Sequence, residues 1–156
     1  MTSMLAGQLA MLGTAFGYGV ASAVVPVVNA EVYVVGATLL VPAPLWPALL
    51  ALFTIGTMLG KGVIFLSAER LTSRAAPAVR ARIDRAVALL QRRPAAVWPT
   101  VFVSAALGLP PFYAVTVAGG VLRLGFVAFL VVGAAGRLLR FAALMYGISL
   151  WPWGGA

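Results

Sequence analysis

The chain reads as an all-α integral membrane protein: an inverted repeat of a re-entrant helical hairpin plus a transmembrane helix, the two copies joined by a basic amphipathic helix. Three observations predict this. Of 156 residues, 63% are hydrophobic and 9% charged, with a mean hydropathy of +1.06, whereas a soluble domain carries about 25% charged residues. Apolar stretches broken by proline leave pieces too short for a bilayer, which needs roughly 20 helical residues, while two other stretches are long enough. An arginine-rich segment separates the halves. The length allows one membrane domain, 1–156, divided as a first repeat 4–67, a linker 68–98 and a second repeat 99–150.

Met4 to Val25 is an apolar run without charge, carrying Gly7, Gly13, Gly17 and Gly19. It lacks the basic start of a secretory signal peptide. The spacing of Gly13 and Gly17 predicts close helix packing. Pro26 interrupts the run, the polar cluster Asn29-Ala30-Glu31 follows, and a short apolar arm, Val32 to Val41, stops at Pro42-Ala43-Pro44. Glu31 is the sole acid before Glu69. In lipid a carboxylate costs about 2.5–3.5 kcal/mol on insertion scales, so it is expected to face a bundle interior, pair with a cation or hold a proton. The bland alternative places it in the headgroup region at a hairpin mouth.

Leu45 to Ser67 is long enough to cross, with Trp46 suited to the interfacial belt. Gly56 and Gly60 sit four apart, the spacing of tightly packed membrane helices, and Lys61 follows at once. Lys61 either snorkels to the surface or points inward toward Glu31.

Ala68 to Trp98 holds Arg70, Arg74, Arg80, Arg82, Arg85, Arg92 and Arg93 against Glu69 and Asp84, which places it on the cytoplasmic side. Between Pro77 and Gln91, the residues Val79, Ile83, Ala86, Val87 and Leu90 recur at helical spacing. The expectation is an amphipathic helix lying on the inner leaflet, its arginines meeting anionic headgroups. No aromatic residues interleave with them, so a nucleic-acid partner is not expected.

The second half repeats the pattern. Thr100 to Leu107 breaks at Gly108-Leu109-Pro110-Pro111. A short arm, Phe112 to Val121, ends at Arg123, and the long run Leu124 to Gly147 carries Arg137 and Arg140. Proline removes backbone donors, and broken backbone at membrane depth survives only against protein or a water-filled cavity. Pro26 to Gly36 and Pro110 to Gly120 match in spacing, and each long span has a glycine pair followed by a cation: Gly56 and Gly60 with Lys61, Gly133 and Gly136 with Arg137. A unit with one crossing repeats in opposite orientations. Both termini then lie outside; if Met4 to Val25 is itself a complete crossing, the N-terminus lies inside.

At these positions the chain resembles the DedA superfamily, also called the VTT or SNARE-associated domain, and within it the short YqaA-like branch. The resemblance rests on Pro26-Val27-Val28-Asn29-Ala30-Glu31, Gly56 to Gly62 with Lys61, Leu109-Pro110-Pro111-Phe112 leading to Ala118-Gly119-Gly120-Val121-Leu122-Arg123, and Gly136-Arg137-Leu138-Leu139-Arg140-Phe141. It implies two re-entrant hairpins facing each other at the midplane. It also implies movement of phospholipid or polyprenyl-phosphate lipid between leaflets of a bacterial-type inner membrane. Larger members place an acid in the first hairpin, matched by Glu31, and an arginine after the proline of the second, where this chain has Pro111 and Phe112.

Guanidinium groups suit a phosphate in a low-dielectric place, because they stay charged and bind oxygen pairs through a planar fork. Arg137 and Arg140 lie three apart on one helix face. With Arg123 and Lys61 they are the candidates for binding a phosphate headgroup at the tips around Pro26, Pro110 and Pro111. Glu31 and Asn29 are the candidates for proton or charge coupling. The alternative is a set of salt bridges that only holds the hairpins. The absence of cysteine and histidine removes thiolate chemistry and the usual zinc sites. No paired acids or nucleophile–base set exists, so neither an enzyme nor a cofactor is expected. Two other functions fit the residues: a small proton-coupled exporter working through Glu31, and a membrane-organising protein working through the basic helix. Glycine faces are compatible with a homodimer.

Overall fold

The computed structural model describes residues 2–25 and 29–150, so Pro26, with its predicted hairpin break, lies outside the described residues. Among those described, the chain forms eight α-helices and no strand: α1 (Thr2–Val24), α2 (Ala30–Leu40), α3 (Trp46–Leu66), α4 (Ala68–Arg74), α5 (Pro77–Arg92), α6 (Val97–Leu107), α7 (Phe112–Val121) and α8 (Phe126–Ser149). Among the described residues, two segments are long and apolar enough to cross a membrane, Ala43–Leu66 and Phe126–Ser149. The shorter apolar helices include α2, α6 and α7.

Proline and glycine set the ends. Val41 is extended, as a residue before proline prefers, and Pro42 opens a single 3-10 turn, Ala43–Leu45, before α3. The Trp46 indole Nε1 donates to the Val41 carbonyl at 2.9 Å and ties the two helices together. Gly108 ends α6 in the left-handed region, at φ 80°. α8 starts two residues later than the apolar run predicts, because Arg123 and Leu124 are taken up in closing α7. The arms that the predicted repeat would match differ in length: α1 is one unbroken helix of 23 residues, roughly 35 Å, whereas α6 has 11.

The chain divides into two compact units, Met1–Gly60 with Leu138–Ala156, and Lys61–Arg137. These boundaries differ from the repeat boundaries read in sequence and fall within α3 and α8.

In the first unit, Val34, Leu49, Phe53, Phe141 and Met145 form the centre of the core. A run of ring contacts links Tyr18, Tyr33, Phe53 and Phe141, with centroid distances of 4.5, 5.1 and 4.8 Å. Glycine lets α1 and α3 touch backbone to backbone. A Cβ on Gly19 would lie 2.6 Å from the Phe53 carbonyl oxygen, one on Gly56 would strike the Phe16 carbonyl, and one on Gly60 would meet Ala23. The expectation for Gly13 and Gly17 is corrected: a Cβ at either would meet nothing within 4 Å. The tight contact falls instead on the face that carries Gly19.

In the second unit, α7 is the central element, with every side chain from Ala114 to Gly119 buried. Phe112 and Phe65 pack on Phe129. The apolar stripe of α5, represented by Ile83, Ala86 and Leu90, is buried, and Ile83 joins Ile64, Ala68 and Val117 in one cluster. The helix expected to rest its apolar side on the leaflet therefore uses that side to cover α7. Its arginines Arg80, Arg82, Arg85 and Arg92 remain exposed.

Candidate functional site

The first polar centre lies in the first unit, where α2 begins. Asn29 caps that helix, its side-chain oxygen accepting the Glu31 N–H at 2.9 Å. The cap satisfies one of the free donors at a helix start, and a carboxylate in the first turn also meets the positive end of the helix dipole. Asn29 thus has a capping role that accounts for its presence beside Glu31. The Glu31 carboxylate accepts from Arg140 of α8, whose Nε lies 3.0 Å and Nη2 2.7 Å from Oε1. The side chains are 35% and 26% exposed, respectively. The pair is partly desolvated, so its charge-assisted bonds are stronger than those of a surface pair, yet water or a ligand oxygen can still reach it.

The second centre lies in the second unit, just past the proline break. The Leu109–Pro110 peptide bond is cis. The Pro110 carbonyl accepts a hydrogen bond from Ser104 Oγ at 2.6 Å, and Ser104 is fully buried. A broken backbone in apolar surroundings needs such a partner, and a serine six residues upstream supplies it. After Pro111, Phe112 lies under the Arg137 guanidinium, 4.8 Å from the ring centroid. Tyr113 lies under the Lys61 ammonium at 5.5 Å. Lys61 is 6% exposed and does not snorkel to the surface; the contact seen is with the Tyr113 ring, within the second unit. Arg137 acts electrostatically on Lys61. Cation–ring contacts of this kind contribute about 0.5–2 kcal/mol, most where water is excluded, and they let two like charges sit near one another.

The third feature is a corner of the second unit. α7 ends in a Schellman motif: the Leu124 N–H donates to the Gly119 carbonyl at 2.9 Å and the Arg123 N–H to the Gly120 carbonyl at 3.1 Å. Arg123 occupies the left-handed position usually taken by glycine, with φ 52°. For a residue with a Cβ this conformation costs roughly 1–2 kcal/mol. Its Nη2 pairs with Glu69 Oε1 at 3.2 Å, with side chains 83% and 69% exposed. An exposed pair contributes about 0–1 kcal/mol, so the ion pair does not offset the strain of the corner.

The predicted residues therefore fall into three groups. Glu31 meets Arg140, Lys61 shares a unit with Arg137 beside the Pro110-Pro111 break, and Arg123 meets Glu69. Arg137 and Arg140, three apart in sequence, belong to different units. Sequence reasoning missed Ser104, Phe112, Tyr113 and Glu69 as partners. The position of Ser104 just ahead of a Pro-Pro break was the one available signal. Among the described residues no cluster of metal-ligating side chains occurs. No family model, curated protein or solved structure matches the chain.

Proposed function

We propose that the chain is a multi-pass protein of a bacterial-type inner membrane that moves phospholipid or polyprenyl-phosphate lipid between leaflets, by way of the two proline-broken segments that the sequence predicts as re-entrant hairpins. The observation that carries the reading is the Glu31–Arg140 ion pair. It joins the chain's one early acid, at the start of a short apolar helix, to a cation in a helix of membrane-spanning length. Only 22% of the apolar window of α8 is buried, a pattern suited to a helix solvated by acyl chains and unlike the core helix of a soluble protein.

Chemically, a lipid phosphate can replace the Glu31 carboxylate on the Arg140 fork, because both present anionic oxygens to its N–H donors. The charge Arg140 requires is then supplied by Glu31 in the empty state and by the headgroup in the loaded one. Lys61 and Arg137 offer a second cationic station next to the proline break, and acyl chains stay in lipid while the headgroup passes. The resemblance to the DedA superfamily supports the same reading on its own residues. The paired state of Glu31 disfavours a cation exporter, whose acid must be open to cargo.

The test is leaflet exchange of fluorescent phospholipid and of a polyprenyl phosphate in vesicles containing the purified protein. Exchange faster than in empty vesicles, and lost in Arg140→Gln at equal protein content, is the expected result. Exchange no faster than in empty vesicles for both lipids would refute the reading.

A further inference from the structure

We infer that Glu69, in the first turn of α4, and Arg123, at the end of α7, form a headgroup-docking site that selects phosphate headgroups carrying their own ammonium, such as phosphoethanolamine lipids, over purely anionic ones. This rests on the membrane placement proposed above and not on transport. Three observations converge on it. The pair borders an open groove of about 330 Å³ whose other walls include Phe65, Leu66 and Leu124, so charged and apolar side chains share one lining, as a headgroup with its first acyl carbons requires. Arg123 and Glu69 touch through a single hydrogen bond at 3.2 Å and are both largely exposed, which leaves most of the guanidinium fork and one carboxylate oxygen for a ligand. Arg123 also holds a backbone position that favours glycine, in a stretch where Gly119, Gly120 and Gly125 stand close by. An arginine at such a corner weakens the fold and is explained by what its side chain binds.

Charge complementarity then names the occupant. A zwitterionic headgroup exchanges the one internal pair for two external ones, phosphate on Arg123 and ammonium on Glu69. A purely anionic headgroup that takes Arg123 leaves Glu69 facing a second anion, and this repulsion supplies the discrimination. The seven arginines of the 68–98 segment attract any anionic lipid, so an acid at this point acts against the prevailing charge and selects within what they gather.

The test titrates full-length protein in detergent with dioleoyl phosphatidylethanolamine and dioleoyl phosphatidylglycerol, counting bound lipid by native mass spectrometry. Glu69→Gln is expected to shift the binding ratio about fivefold toward phosphatidylglycerol, the effect of one interfacial charge. Arg123→Gly is expected to weaken both lipids while its unfolding temperature holds or rises, since glycine suits the corner. An unchanged ratio in Glu69→Gln, or an Arg123→Gly protein that melts earlier and binds both lipids as before, would overturn the site and make the pair structural. The ratio is read without any flux, so a protein that keeps it while moving no lipid supports the site even as the transport reading fails.

Discussion

Arg140 places Nε and Nη2 against the same carboxylate oxygen of Glu31, at 3.0 and 2.7 Å, across 109 positions of sequence. One oxygen receiving two donors from a guanidinium is a strong, directional contact, and it fixes the start of α2 to the second half of α8 within the first unit.

The first prediction follows from that geometry. Arg140→Gln leaves Glu31 partly buried beside a neutral group, and Glu31→Gln does the converse, so each single variant should lower thermal stability in detergent. The double variant should recover part of the loss. A double-mutant cycle is expected to give a coupling of about 1–3 kcal/mol. A coupling indistinguishable from zero would mean that the pair contributes nothing to the fold.

Ser104 and Thr116 give a second, comparative prediction. Both hydroxyls are buried and donate to carbonyls, Ser104 to Pro110 at 2.6 Å and Thr116 to Phe112 at 2.7 Å. The Thr116 bond is a back-bond within its own helix, whose carbonyl has helical partners in any case. The Pro110 carbonyl sits at a break. Ser104→Ala should therefore cost about 1–3 kcal/mol and Thr116→Ala clearly less, measured by chemical or thermal unfolding. Equal losses would contradict the role given to Ser104.

Helix packing supplies the third. Gly56→Ala drives a Cβ into the Phe16 carbonyl, which cannot swing aside as a side-chain tip would. A loss of about 1–3 kcal/mol is expected. Gly13→Ala and Gly17→Ala meet open space and should change stability by no more than about 0.5 kcal/mol. The reverse order would mean that the glycine spacing first read in α1 marks the real contact.

A fourth concerns the cationic station of the second unit. Arg137→Lys keeps the charge but loses the flat group that covers Phe112. Lipid exchange in vesicles should fall by about tenfold, the equivalent of 1–2 kcal/mol of cation–ring and fork bonding, with folded protein at normal levels. Full activity in Arg137→Lys would reduce Arg137 to a point charge.

Much of this fold is legible in sequence because proline and glycine punctuate it. Val41 before Pro42, Gly108 before the Pro-Pro pair and Pro77 at the first position of α5 each set a helix end within a residue or two of where the chain places it. Scarcity made the ion pair readable: with so few acids, Glu31 had to face something, though only tertiary structure chose Arg140. What stayed hidden depends on neighbours across the fold. Whether Gly17 or Gly19 meets α3 turns on helix rotation, which a run apolar on every side does not reveal. Similarly, the stripe of α5 has the same pattern whether it covers lipid or α7, and the rings that carry Lys61 and Arg137 are ordinary apolar residues until folded.

The most direct measurement takes advantage of a chain without cysteine. Asn29→Cys and Leu109→Cys put a thiol at an exposed position near the predicted Pro26 break and beside the Pro110 break. A membrane-impermeant maleimide applied to right-side-out and inverted vesicles then reports which side reaches each one. Opposed hairpins predict labelling of Cys-substituted position 29 from the outer side and of position 109 from the cytoplasmic side. Labelling of both from one side would contradict the account.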